Sequence, residues 1–204
     1  MKKNLFLISL FSCSSFLFAQ DKIVLENSRE ITNIKVTEVT TNSVKYKKFG
    51  NPDAKEKGIY SERVFSVSYS DGTEKVIYAP DPAEPEFSVE QMRMFIKGTQ
   101  DSRKVYHNEL SYIVGFLFGV AGPFAANLSL PPFIALPPGL GIFLVSIGSP
   151  NMNHQNVDRK YLNNEEYLMG YQRKARLKKA RNAFYSSLIG VGAGLIIVNN
   201  IHFK

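Results

Sequence analysis

Between Ser111 and Pro150 the chain reads SYIVGFLFGVAGPFAANLSLPPFIALPPGLGIFLVSIGSP, forty residues without one Asp, Glu, Lys or Arg. So long an apolar run either crosses a bilayer or is covered by protein, because a contiguous apolar surface of that size is not stable in water. Prolines divide it. Tyr112 to Leu130 offers nineteen uncharged residues, about 28 Å of helix and enough for the hydrocarbon core. Pro123 inside it is tolerated where neighbouring groups satisfy the freed carbonyl. Pro137-Pro138 interrupts the rest of the run and leaves Gly139 to Gly148, about 15 Å of helix, which predicts a re-entrant or interfacial piece rather than a second span. Near the C-terminus AFYSSLIGVGAGLIIVNNI, Ala183 to Ile201, supplies nineteen more uncharged residues and the cleanest span.

The two spans share a pattern. Ser111, Gly115 and Gly119 in the first, and Ser186, Gly190 and Gly194 in the second, recur every four residues. Small residues at that spacing share one helical face and let two backbones approach, within one chain or between copies. Gly190-x-Gly192-x-Gly194 follows a basic helix rather than a strand and lacks Lys-Ser/Thr, so it is no phosphate loop. Before the second span, Arg173, Lys174, Arg176, Lys178, Lys179 and Arg181 punctuate a helix from Glu165 to Asn182 that also carries Tyr167, Leu168, Tyr171 and Leu177. These bases either bind anionic lipid head groups or simply fix orientation. With an exported N-terminal part, a single crossing before residue 149 puts them in the cytoplasm, as the positive-inside rule prefers; the second span then returns the chain, forming a hairpin.

Export is read from MKKNLFLISLFSCSSFLFAQ: Lys2 and Lys3, an apolar Leu5 to Phe18, and a cleavage end at Leu17-Phe18-Ala19. Cys13 is the only cysteine. Leu10-Phe11-Ser12-Cys13 is loosely like a lipobox, but bulky Phe11 and the apolar run beyond Cys13 favour an ordinary signal cysteine. Cleavage after Ala19 or Gln20 then leaves no thiol, which excludes disulfides and thiol catalysis.

The net charge of +7 is a local matter. From Asp21 to Leu110 there are 14 basic and 15 acidic residues; from Ser149 to Asn182 there are 8 basic and 3 acidic. The excess lies between apolar segments of an exported chain, so nucleic acid is not an expected partner.

Residues 21–79 read as short alternating strands: 22–26, 31–39, 43–49, 58–60, 63–69 and 74–79. Asp71-Gly72 is a hairpin signal. Such strands predict a small antiparallel barrel or curled sheet, SH3-like in its order. Lys45-Tyr46-Lys47-Lys48-Phe49 is a solvated strand face, and Asp53, Glu56 and Glu62 lack calcium-loop spacing. A proline-rich linker spans 80–87, and a helix over 88–110 starts at the capping box Ser88-x-x-Gln91, with Met92, Phe95 and Ile96 as its apolar stripe and Gly98 as a point of weakness.

VKYKKFGNPD, YSDGTEKV, KGTQDSRKVY and NNEEYLMGYQRKARLKK, in this order around a glycine-rich apolar segment, resemble an uncharacterised family of exported Gram-negative envelope proteins. The resemblance covers most of the mature chain and implies a small β-module ahead of a glycine-rich membrane hairpin, with no assigned activity.

No chemistry stands out. His107, His154 and His202 lie apart without cysteine or carboxylate at ligand spacing, so no metal or cofactor is expected. No Gly-x-Ser-x-Gly, HExxH or Walker motif occurs. Asp101 and Arg103, with Glu109, are the nearest approach to a polar site, and a solvated helix accounts for them. The expectation is an α+β protein: a signal over 1–20, a β-module over 21–79, a linker over 80–87, a helix over 88–110, an apolar segment over 111–150, a basic segment over 151–182 and a transmembrane helix over 183–201. Its expected role is non-enzymatic binding or scaffolding from the bacterial inner membrane, with the β-module in the periplasm. Membrane lipids, a second copy or another envelope protein would be its partners. The alternative is a soluble periplasmic protein whose apolar segments form a core or a partner interface.

Overall fold

A computed structural model describes residues 20–51, 53–81, 86–128, 136–147, 150, 157 and 159–202. The export signal, with Cys13, and His154 lie outside the described residues. The chain divides into two compact units, the first ending at Met92 and the second starting at Arg93.

The first unit is an antiparallel sheet of β1 (Asp21–Leu25), β2 (Glu30–Val39), β3 (Ser43–Lys48), β4 (Lys57–Tyr60), β5 (Val64–Ser68) and β6 (Glu74–Val76). The strand order is β4-β3-β2-β1-β5-β6. β4 and β6 therefore end the sheet, which is open where a closed barrel was one expectation. β1 is central and almost wholly buried, since it is paired on both sides and faces the core. Its alternation places Ile23 and Leu25 with Ile34, Val44, Val64 and Val67 in one apolar cluster. Each such side chain contributes about 1.5–3 kcal/mol of burial. A bulge between Val36 and Glu38 breaks the register of the long β2 against β3, which adds twist. Asp21 spends its carboxylate on the backbone: Val36 N donates to Oδ2 at 2.7 Å and Ser70 N to Oδ1 at 2.9 Å. The β5–β6 hairpin turns at Gly72, whose φ of +87° lies in the left-handed region. Asp71 Oδ1 accepts from the amide and hydroxyl of Thr73, which holds that carboxyl below its usual range.

Among the described residues four α-helices follow: α1 (Val89–Val105), α2 (Leu110–Leu128), α3 (Leu136–Ile147) and α4 (Glu165–His202). α1 begins with both bonds of a capping box, Ser88 N to Gln91 Oε1 at 3.0 Å and Gln91 N to Ser88 Oγ at 3.3 Å. It ends at Val105, short of the expected 110, because Asn108 caps a new helix: Ser111 N and Oγ both donate to Asn108 Oδ1. Asn164 caps α4 in the same way, accepting from Tyr167 N at 2.7 Å. Glu165 and Glu166 fill its first turn, where carboxylates face the positive end of the helix dipole. α4 then runs unbroken for 38 residues, about 57 Å. The basic segment and the apolar C-terminal segment, divided at 182 in the sequence, are thus one rod.

Pro137 and Pro138 open α3 rather than preceding it, since the first turn has no intrahelical partner for the missing amides. Gly98 brings no break to α1. It is a crossing point: a Cβ there would overlap the Tyr167 carbonyl oxygen, and one at Gly170 would overlap the Phe95 carbonyl oxygen. Only two glycines let α1 and α4 cross that closely. Around the crossing lie buried Tyr106, Val157, Tyr167, Tyr171 and Ala175.

Candidate membrane interface

The six small residues proposed for helix packing come to different ends. A Cβ on Gly115 would overlap the Ala183 carbonyl oxygen and Ser186 Oγ, and one on Gly119 the Ser187 carbonyl oxygen. On the facing helix, Gly190 meets the Phe116 carbonyl oxygen, while a Cβ on Gly194 would lie 2.6 Å from the Val120 carbonyl oxygen and 3.0 Å from Pro123 Cγ. Ser111 is buried but held by Asn108, and Ser186 Oγ donates to the Ala183 carbonyl. Gly192 faces open space. α3 packs against both α2 and α4, its Gly141 lying on the Phe118 side chain.

The order of these contacts corrects the expected hairpin. Gly115 meets Ala183, Gly119 meets Ser187, and Pro123 meets Gly194, so position advances in the same direction along both helices. α2 and α4 are parallel, whereas two consecutive spans joined as a hairpin must be antiparallel. The basic half of α4 also lies against α1: the Tyr167 hydroxyl donates to Asp101 Oδ2 at 3.0 Å, Thr99 Oγ1 donates to the Gly170 carbonyl at 3.1 Å, and Lys178 Nζ donates to the Tyr106 carbonyl at 2.6 Å. A bilayer between residues 106 and 160 must therefore be crossed an even number of times or not at all. The single crossing argued from charge and proline does not fit this packing.

The proposed head-group bases divide as well. Arg173, Arg176 and Arg181 are exposed. Arg173 lies over the Phe95 ring at 5.8 Å. Lys178 is spent on the carbonyls that close α1, those of Tyr106 and Arg103; burial, then Arg181, lowers its pKa. Lys179 is buried, and burial followed by Arg176 lowers its pKa too. Lys174 is half-buried. Asp101, considered as a polar site on sequence grounds, is a staple between α1 and α4: it takes the Tyr167 hydroxyl and an ion pair from Lys97 at 3.0 Å. Burial, then Asp101, raises the Tyr167 pKa. Glu109 is exposed at the start of α2. Among the described residues no three His, Cys, Asp or Glu side chains converge as a metal site.

Outward, the three apolar helices carry large side chains: Ile113 and Leu117 on α2, Phe143 and Ile147 on α3, Ile189 and Ile196 on α4 are all more than half exposed. Among the described residues one helix, Glu165–Ile201, is long and apolar enough to cross a membrane, and only 22% of its apolar window is buried. The described apolar parts of α2 and α3 are shorter. Tyr112 and Tyr185 are exposed at the starts of the two parallel apolar segments, where amphipathic rings suit a membrane surface.

The sheet unit has its own concavity, about 640 Å³, lined by Glu26, Glu62, Ile77, Tyr78, Glu86, Phe87 and Met92 among others. Tyr78 Oη donates to the Phe87 carbonyl at its edge. Burial, then Glu86 and Glu62, raises the Glu26 carboxyl above its ordinary value.

Gly98, Gly170, Asn108 and the pair Tyr167 and Tyr171 organise the second unit, and the sequence reading did not single them out as contacts. The available signal was the i, i+4, i+8 series Tyr167, Tyr171, Ala175 on a helix otherwise rich in bases. No family model, curated protein or solved structure matches this chain.

Proposed function

We propose that this chain is a non-enzymatic, membrane-tethered protein of a bacterial envelope whose sheet unit serves binding or scaffolding. One observation carries the reading: α2, α3 and α4 pack Gly115, Gly119, Gly141, Gly190 and Gly194 against one another and turn large apolar side chains outward. Lipid covers such a surface without cost, whereas water does not. Of the alternative, a soluble periplasmic protein whose apolar segments form a core or a partner interface, the core form conflicts with how little of α4 is buried, and the partner-interface form predicts release on carbonate extraction. The signal-like N-terminus and the resemblance to exported envelope proteins favour a periplasmic sheet unit on the inner membrane. The concave acidic and apolar face around Glu26 is the feature of that unit best suited to a ligand or partner.

Because the basic half of α4 lies against α1, these two helical segments belong on one side of a bilayer. The positive-inside rule pulls that shared side toward the cytoplasm, and the N-terminal signal pulls it outward. Single cysteines at residues 90 and 163, in a chain whose only native cysteine is Cys13, test both points with an impermeant thiol reagent. Both positions are expected to react from the periplasmic side. Opposite sides would overturn the shared-side topology, and two cytoplasmic positions would overturn export. Carbonate extraction tests the tether itself: release into the supernatant would sink it.

A further inference from the structure

The sheet unit has a second concavity, opposite in charge to the one around Glu26. Strand register fixes its make-up, because residues directly opposite on paired strands share a face. Ile34 stands opposite Lys48, Val36 opposite Tyr46, and Tyr46 opposite Lys57. Ile34, Tyr46, Lys48 and Lys57 therefore belong to the face that carries the apolar cluster, whereas Lys35 stands opposite Lys47 on the other face. The segment from Lys45 to Phe49, expected as one solvated face, is thus two-sided. Against β1, β2 carries an extra residue: Asp21 and Ile23 pair with Ile34 and Ile31, and Asn33 between the latter two has a left-handed φ of +60°. This bulge turns Ile31 inward as well as Ile34, and both pack in or against the cluster. The result is a concavity of about 430 Å³ with Ile31, Ile34 and Tyr46 in its wall and Lys48, Lys55 and Lys57 around it. No acid lines it. Glu56 accepts from the Thr37 hydroxyl at 2.8 Å, Glu38 from Lys45 at 2.6 Å and Glu30 from Lys22 at 3.4 Å, which leaves Asp53 exposed in the turn between β3 and β4. Among the described residues Lys48, Lys55 and Lys57 form no ion pair.

We propose that this concavity binds a small amphiphilic organic anion, an acidic group on a short aliphatic or aromatic body. The body lies on Ile31, Ile34 and Tyr46, and the acidic group meets Lys48, Lys55 and Lys57. The proposal rests on the binding role proposed for the sheet unit and not on the membrane tether. Its chemistry is charge complementarity at the rim of an apolar wall. Like charges gathered without a counter-charge repel one another, and an anion among them relieves that cost. Lysine ammonium groups are point charges on flexible stems, so they read the charge of the ligand rather than the planar shape that an arginine fork would select. The wall then supplies the second requirement, an apolar body, and the volume suits a small molecule rather than a polymer.

The test photolabels the full chain, purified in neutral detergent, with a diazirine-bearing benzoate and maps the labelled residues by mass spectrometry, with octanoate, octanol or inorganic phosphate as competitor. Label is expected within residues 31–57, displaced by octanoate at concentrations at least about tenfold below those needed of octanol or phosphate, since octanol lacks the charge and phosphate the apolar body. Lys48→Gln with Lys57→Gln should weaken octanoate competition roughly tenfold. Lys35→Gln with Lys47→Gln removes the same charge from the opposite face of the sheet and should leave competition unchanged. Label absent from residues 31–57 would overturn the site. Displacement by octanol or by phosphate as readily as by octanoate would overturn the ligand class, and equal losses in the two paired variants would overturn the face. Each of these failures would leave the acidic concavity around Glu26 as the binding surface, and the tether is read separately by carbonate extraction.

Discussion

The Lys178 ammonium donates to the Tyr106 carbonyl oxygen at 2.6 Å and so closes α1 from a helix far along the chain. The last carbonyls of a helix lack intrahelical partners, and a cation there also faces the negative end of the dipole. Lys178→Met should keep the aliphatic packing and lose the cap. About 1–2 kcal/mol of stability is expected to go, read as a lower thermal midpoint in detergent. Arg176→Met, at an exposed position on the same helix, serves as the control.

Substitution at the glycines should separate contact from propensity. Gly98→Ala and Gly170→Ala place a Cβ into facing backbone carbonyls, so each is expected to cost more than about 2 kcal/mol, with the helices forced apart. Gly192→Ala meets nothing within 4 Å and should stabilise by up to about 1 kcal/mol, the propensity difference. Thermal denaturation followed by circular dichroism reads all three. If alanine at Gly98 were neutral, the close crossing would be wrong.

The parallel run of α2 and α4 can be measured directly. Spin labels on Ile113→Cys and Phe184→Cys, both exposed, should lie closer together than labels on Ile113→Cys and Ile197→Cys. Residue 197 is about 20 Å further along α4 at 1.5 Å per residue. An antiparallel hairpin would reverse the order of the two distances.

The Glu26 carboxyl, raised by burial and then by Glu86 and Glu62, gives the sheet unit a pH dependence of definite sign. Its proton is held more tightly when folded, so its contribution to stability is fully present below the ordinary value of 4.5 and is lost as pH rises through the raised one. Glu26→Gln should therefore stabilise the chain at neutral pH and leave it unchanged at acid pH. A thermal midpoint for the variant equal to the parent's at pH 7 would count against this raised carboxyl.

Local features were legible from residues alone because their causes are local. The alternation over 21–79 predicts strands because a half-buried strand has period two, and all six are present within a few residues of their predicted limits. Asp71-Gly72 and Ser88-x-x-Gln91 act through atoms two or three residues away. The Asn108 cap is equally local, yet the periodicity alone does not show it, and so the predicted end of α1 lies at residue 110.

The sequence by itself thus determined the strands, the turns, the apolar helices and the small faces that let helices approach. Whether the sheet closes, which way α2 runs beside α4, and whether a base is exposed or caps a helix end were decided by tertiary structure. Strand periodicity carries no information about the edges, and a small-residue face reads the same in parallel and antiparallel pairs. Lys178 and Arg181 are one helical turn apart and chemically alike in sequence, yet one caps α1 while the other is exposed. That difference comes from the Gly98–Gly170 crossing, which exists only once distant parts of the chain have met.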